Sequence, residues 1–198
     1  MILPNPRGSV GRGQAFARAN LGDPGGRELD DALAAVAMCR REGLVADRAP
    51  AVVGGSYGGY LTAAAAVLRR EAAAAVVMYG HPDLVSARYG SNNPAFYDIL
   101  LGGPPTDETF VLYRDRSPVF HAHRDVPPTL ILHGDGDRCT PVGQADELFR
   151  ALLERDVPVE LVVYPDEGHG LRSPAAQLDA WGRTIAWFDH HARHGAHR

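Results

Sequence analysis

Short apolar runs alternate with longer amphipathic stretches along most of the chain. Residues 51–53 (Ala-Val-Val), 72–79 and 129–132 are nearly uninterrupted apolar segments rich in Ala, Val, Leu and Ile, and 159–164 is a fourth rich in valine. Runs of four to eight such residues, bounded by Gly or Pro, predict buried strands. Between them, residues 28–41 carry apolar side chains at Leu29, Ala32, Leu33, Val36 and Ala37, with Cys39–Arg40 breaking to a polar side and Gly43 as a stop. Residues 61–68, 144–154 and 175–191 predict three further helices. The alternation is βαβαβ, the signature of a parallel sheet. Ile2–Leu3 reads as the remnant of an earlier strand, followed by a turn-rich loop through Gly13. Residues 81–127 lack clear periodicity and contain Gly102-Gly103-Pro104-Pro105. They predict an excursion above the sheet, built of short helices, of the kind that shapes a pocket.

One junction stands out within this pattern. Gly54-Gly55-Ser56-Tyr57-Gly58-Gly59 sits where the strand at 51–53 meets an Ala-rich helix. Gly-x-Ser-x-Gly at a strand-to-helix turn is a nucleophile elbow: glycines at 54 and 58 relieve crowding, and the turn exposes the serine hydroxyl. The free N–H groups at the helix start would stabilise a developing oxyanion, which assigns the Tyr57 N–H to that task. In a parallel sheet the loops after successive strands converge on one edge. Asp137 and His169 follow the third and fourth strands, so Ser56, Asp137 and His169 would meet, in the order nucleophile, acid, histidine. Asp135 satisfies the acid's spacing as well. Asp166 and Glu167 lie too close to His169 and read as loop carboxylates, and His133 reads as a buttress of the acid's loop.

Composition narrows the remaining choices. A chain of 198 residues, 45% hydrophobic and 22% charged, suits one domain spanning 1–198. Its net charge of −4 gives no electrostatic reason to expect a nucleic acid or an anionic membrane. All 20 basic side chains other than histidine are arginine, a feature of genome composition. Two cysteines, Cys39 and Cys139, are too few for a disulfide framework and fit a reducing compartment. With neither a bilayer-length apolar run nor a signal-peptide core, a cytoplasmic protein is expected. His190, His191, His194 and His197 lie in a terminal stretch rich in Arg and Ala, which reads as a solvated tail rather than a metal site. No metal or cofactor is expected.

These residues carry a resemblance. Asn5-Pro6-Arg7-Gly8-Ser9, Gly54-Gly55-Ser56-Tyr57-Gly58-Gly59, His133-Gly134-x-x-Asp137 with Pro141 four later, and Gly168-His169-Gly170 together resemble the catalytic domain of the prolyl oligopeptidase family of serine peptidases. The resemblance implies an α/β-hydrolase-type three-layer sandwich, a Ser56–Asp137–His169 triad acting through an acyl-enzyme, and Asp137 rather than Asp135 as the acid. It implies a peptide substrate; a small-ester esterase and a weakly active remnant acting through an open sheet edge are the alternatives. Phe96 and Tyr97, in the excursion, are candidates for the substrate pocket or for packing of the excursion on the sheet.

Departures from the family pattern shape further expectations. The family's β-propeller is not among these residues, and Ile2–Leu3 would correspond to the fourth strand of the hydrolase sheet, so the first strands and the loop supplying a second oxyanion donor are lacking. The elbow strand would then have to re-pair, borrow a strand in a homodimer, or stay unpaired. Cys139 stands where many family members have a peptide-holding arginine, with Arg138 adjacent but directed elsewhere. Amide hydrolysis by such a chain is expected to be poor.

Overall fold

The computed structural model describes residues 1–192, and structural statements below refer to these residues. In chain order its helices and strands are α1 (Gln14–Ala17), α2 (Arg27–Arg41), β1 (Ala51–Gly55), α3 (Tyr57–Val67), β2 (Ala74–Met78), α4 (Leu84–Gly90), α5 (Pro94–Leu101), α6 (Phe110–Asp115), β3 (Thr129–Gly134), α7 (Gly143–Leu153), β4 (Val159–Tyr164) and α8 (Pro174–His191), with a 3-10 turn over Pro118–His121. The four strands form one parallel sheet in the order β1-β2-β3-β4. Parallel strands covered on both faces have no polar side, which explains why β2 (Ala-Ala-Val-Val-Met) and β3 are buried along their whole length.

Alternate side chains supply the two cores. Ala75, Val77 and Ile131 pack against Ala63, Ala66 and Val67 of α3 and Leu148 and Leu152 of α7. Val76, Met78, Leu130 and Leu132 point the other way, onto Ala176 and Ala180 of α8. The result is the three-layer arrangement of helices, sheet and helices that the family resemblance implies. A third cluster, with Tyr60, Leu84, Tyr97, Leu100, Leu101 and Tyr113, ties the excursion to the start of α3. Residues 81–127 do consist of short helices, namely α4, α5, α6 and the 3-10 turn.

Two expectations are corrected. Ile2–Leu3 forms no strand: residues 1–6 have no regular structure and Leu3 is exposed. Two residues make a strand only by joining a ladder, and no described strand lies beside them to pair with. β1 is accordingly an edge strand, paired with β2 on one side only, and Val53 on it is exposed. On α2, Cys39 is buried while Ala37 faces solvent, the reverse of the sides assigned to them, and Leu29 and Leu33 pack on Ala64 and Ala65 of α3. The short helix α1 has no counterpart in the periodicity. No helix is long and apolar enough to cross a membrane, and no group of three or more metal-ligating side chains is present, among the described residues. Of the terminal histidines, His190 and His191 end α8, whereas His194 and His197 lie outside the described residues.

Candidate active site

Each strand delivers one polar side chain to the carboxyl edge of the sheet. β1 ends at Gly55, and Ser56 follows it with φ 58° and ψ −122°, a positive-φ conformation rare for a residue with a side chain. Such strain costs about 1–3 kcal/mol and persists only where surrounding contacts enforce it. Here the Ser56 N–H donates to the Met78 carbonyl of β2 at 3.0 Å, and the Ser56 carbonyl accepts from the Tyr60 N–H of α3 at 3.0 Å. The turn needs its first glycine more than its second. A methyl group on Gly54 would overlap the Gly58 carbonyl, whereas one on Gly58 would meet nothing within 4 Å, so the crowding expected at both positions falls on Gly54 alone. The close approach of α3 to β2 is instead made by Gly59, where an added carbon would lie 2.7 Å from the Met78 carbonyl oxygen.

Asp137, the expected acid, lies on the loop after β3 and is 4% exposed. Its Oδ1 accepts from the Cys139 N–H at 2.9 Å and the Thr140 N–H at 2.8 Å, while Oδ2 lies 2.7 Å from His169 Nδ1. Burial pushes its pKa upward, but hydrogen bonds from His133, His169 and Thr140 outweigh that and hold it well below the ordinary carboxylate range. The group is therefore a carboxylate, and the facing Nδ1 must carry the proton. That leaves the Nε2 lone pair of His169 to accept from the Ser56 hydroxyl, 2.8 Å away. Asp135 is elsewhere: its Oδ1 accepts from the Asp166 N–H at 2.8 Å.

The supporting residues explain the loop positions. His133 is fully buried at the end of β3, where its Nε2–H donates to the Thr140 carbonyl at 2.7 Å and stands 3.5 Å from Asp137 Oδ2, as expected of a buttress. Glu167 accepts from the Arg172 and Ser173 N–H groups at 2.5 and 3.0 Å, closing the loop that carries His169. Tyr79 meets the His169 ring edge-on, with centroids 5.2 Å apart.

Beside the serine is a cavity of about 140 Å³ lined by Ser56, Tyr57, His81, Phe96 and Tyr97. Cys139, Thr140, Ser91 and Asn93 complete its wall. Tyr97 is buried in the excursion's core, Phe96 is partly exposed, and both line the cavity. Tyr57 is the first residue of α3, so its N–H is among those the helix cannot use.

Two residues escaped the sequence. Glu28, 1% exposed on α2, accepts from the Tyr57 hydroxyl at 2.5 Å, the Gly25 N–H at 2.7 Å and the Asn20 side-chain amide at 2.8 Å. His81, on the loop after β2, is buried among aromatic rings. For Glu28 nothing local distinguishes it from a surface helix residue. His81 had one usable signal, its position just past the carboxyl end of a strand.

The family description "Prolyl oligopeptidase family" matches residues 1–195. The uncharacterized peptidase YuxL of Bacillus subtilis (strain 168) is 34% identical over 96% of this chain and 30% of its own length. Dipeptidyl aminopeptidase BIII of Pseudoxanthomonas mexicana is 32% identical over 88% of this chain and 26% of its own. Among solved structures, a puromycin-hydrolyzing peptidase of Mycobacterium tuberculosis superposes with a TM-score of 0.87 at 29% identity, covering 94% of this chain and 28% of that one. The chain therefore spans less than a third of the length of these relatives. A family match that runs through all four strands and all three hydrogen-bonded side chains places this chain in the prolyl oligopeptidase family of serine peptidases.

Proposed function

We propose that this chain is the catalytic portion of a serine peptidase that cleaves amide bonds through an acyl-enzyme on Ser56. The observation that carries the reading is the unbroken line from the Ser56 hydroxyl to His169 (2.8 Å) and from His169 to the Asp137 carboxylate (2.7 Å). In this reading Ser56 Oγ attacks the scissile carbonyl carbon as His169 Nε2 takes the hydroxyl proton, and Asp137 holds the ring's tautomer and stabilises the imidazolium. The carbonyl oxygen, now negative, receives the Tyr57 N–H. Collapse breaks the carbon–nitrogen bond, and His169 returns the proton to the departing amine. A water molecule then repeats the sequence on the ester and restores Ser56.

The acyl-side residue of the substrate sits in the 140 Å³ cavity with its side chain against Phe96 and Tyr97, since that cavity opens directly beside Ser56. Amide chemistry is preferred to ester chemistry because relatives over nearly the whole chain are named as a dipeptidyl aminopeptidase and a puromycin-hydrolyzing peptidase. A fluorophosphonate probe is expected to label the protein at Ser56 and to leave Ser56→Ala unlabelled. A matched amide and ester pair is expected to show amide turnover abolished by the same substitution. Labelling that persists in Ser56→Ala, or ester turnover with none on the amide, would refute the assignment.

A further inference from the structure

His81 presents an imbalance that the proposed chemistry leaves unused. Its ring is 3% exposed, and neither Nδ1 nor Nε2 has a hydrogen-bond partner among the described residues. It lies flat on Tyr60 (centroids 5.4 Å apart, 8° between planes) and is met edge-on by Tyr97 at 5.6 Å and by Phe96 at 6.0 Å. Every one of these contacts would serve a phenyl ring equally well. An imidazole in their midst leaves a donor and an acceptor unpaired, which buried polar groups rarely are.

The location gives these two atoms a use. His81 forms part of the wall of the cavity that opens beside Ser56. Burial pushes its pKa down to about 3, so the ring is neutral and offers one N–H and one lone pair. Ser91, on the same wall, already spends its hydroxyl on the Cys139 carbonyl at 2.7 Å and accepts from the Asn93 N–H at 3.0 Å. No carboxylate or guanidinium lines the cavity, which disfavours a charged side chain. Its 140 Å³ is close to the roughly 150 Å³ that accommodates a benzene molecule. Phe96, 37% exposed and packed edge-on against both His81 and Tyr57, is the wall element that an entering ring can displace.

We infer that His81 is a specificity-determining residue that hydrogen-bonds a neutral polar group at the tip of the acyl-side residue's ring, so that the cavity selects a phenol such as tyrosine over phenylalanine. The inference rests on the reading of the cavity as the acyl-side pocket. With phenylalanine bound the imidazole stays unpaired; with tyrosine the hydroxyl pairs with it. Pairing one buried group is expected to favour the phenol by about 5- to 100-fold.

The test is binding, which stands apart from turnover. In the full chain, N-acetyl-tyrosinamide and N-acetyl-phenylalaninamide are titrated against the wild type and His81→Phe, and the ¹⁵N shifts of the His81 ring are followed. The expected result is a preference for the tyrosine derivative in that range, a His81 ¹⁵N shift with that derivative alone, and loss of the preference in His81→Phe with affinity for the phenylalanine derivative retained. Equal affinities in the wild type, or a preference that survives His81→Phe, would overturn the inference. Should His81→Phe not fold, the wild-type ratio and the ¹⁵N shift decide between these outcomes. Fluorophosphonate labelling of Ser56 reports on the serine hydrolase reading separately, so a labelled protein without the preference refutes His81's role alone.

Discussion

Tyr57→Phe removes a single oxygen and tests whether the elbow is braced from behind. The Tyr57 hydroxyl donates to Glu28 Oε1 at 2.5 Å, and Glu28 is 1% exposed. Burial raises the Glu28 pKa, against the pull of its hydrogen bonds from Tyr57, Gly25 and Asn20. A hydrogen bond to a charged group contributes about 1.5–3 kcal/mol, and without it Glu28 keeps only the Gly25 and Asn20 donors. At this chain length each kcal/mol moves Tm by about 2–4 °C, so a fall of roughly 3–12 °C is expected.

The pH dependence sharpens the test. A carboxyl whose folded pKa lies above its unfolded value of about 4.3 binds protons more tightly in the folded state. Its contribution is complete below that unfolded value and is lost as pH rises through the folded one. Removing a donor that favours the carboxylate raises the folded pKa further, so Tyr57→Phe should cost more near pH 7.5 than near pH 4.5. Urea unfolding at both values, with the slope checked for constancy, measures this. A loss under about 0.5 kcal/mol at pH 7.5, or one independent of pH, would refute the brace.

Other substitutions probe the remaining contacts. Asp137→Asn should fold but lower kcat by about 10⁴-fold, because the amide no longer enforces the Nδ1–H tautomer of His169; a kcat within tenfold of wild type would refute the proposed role. Gly54→Ala should be destabilised by about 1–3 kcal/mol through overlap with the Gly58 carbonyl, whereas Gly58→Ala, with open space at its added carbon, should be neutral or slightly stabilising by thermal unfolding. Asp31 is held down to about 2 from 3.8, chiefly by the side-chain hydrogen bond from Arg7. That pairing contributes stability above the unfolded value and loses it as pH falls through about 2, so Arg7→Ala should flatten the acid side of a stability profile between pH 4 and pH 2.

How much of this was legible in the chain follows from the range of the interactions involved. β2 and β3 are buried on both faces, so their side chains must be apolar without alternation, and that requirement is written in consecutive residues. Since parallel strands end on one edge, the order of Ser56, Asp137 and His169 after their strands also implied that the three would meet. Tertiary structure alone decided what depends on distant partners. Asp135 and Asp137 are equivalent by spacing, and their roles separate only because Asp166 turns its N–H to the former and His169 its ring to the latter. Ile2–Leu3 has strand-like composition, but a strand exists only where a neighbour completes its ladder. Glu28 and Tyr57 are 29 residues apart, and His81 is defined by four rings drawn from α3 and α5, so neither environment leaves a periodic trace. Local pattern determined which residues are inside and which loops share an edge; the pairing of polar groups within that edge is a property of three-dimensional packing.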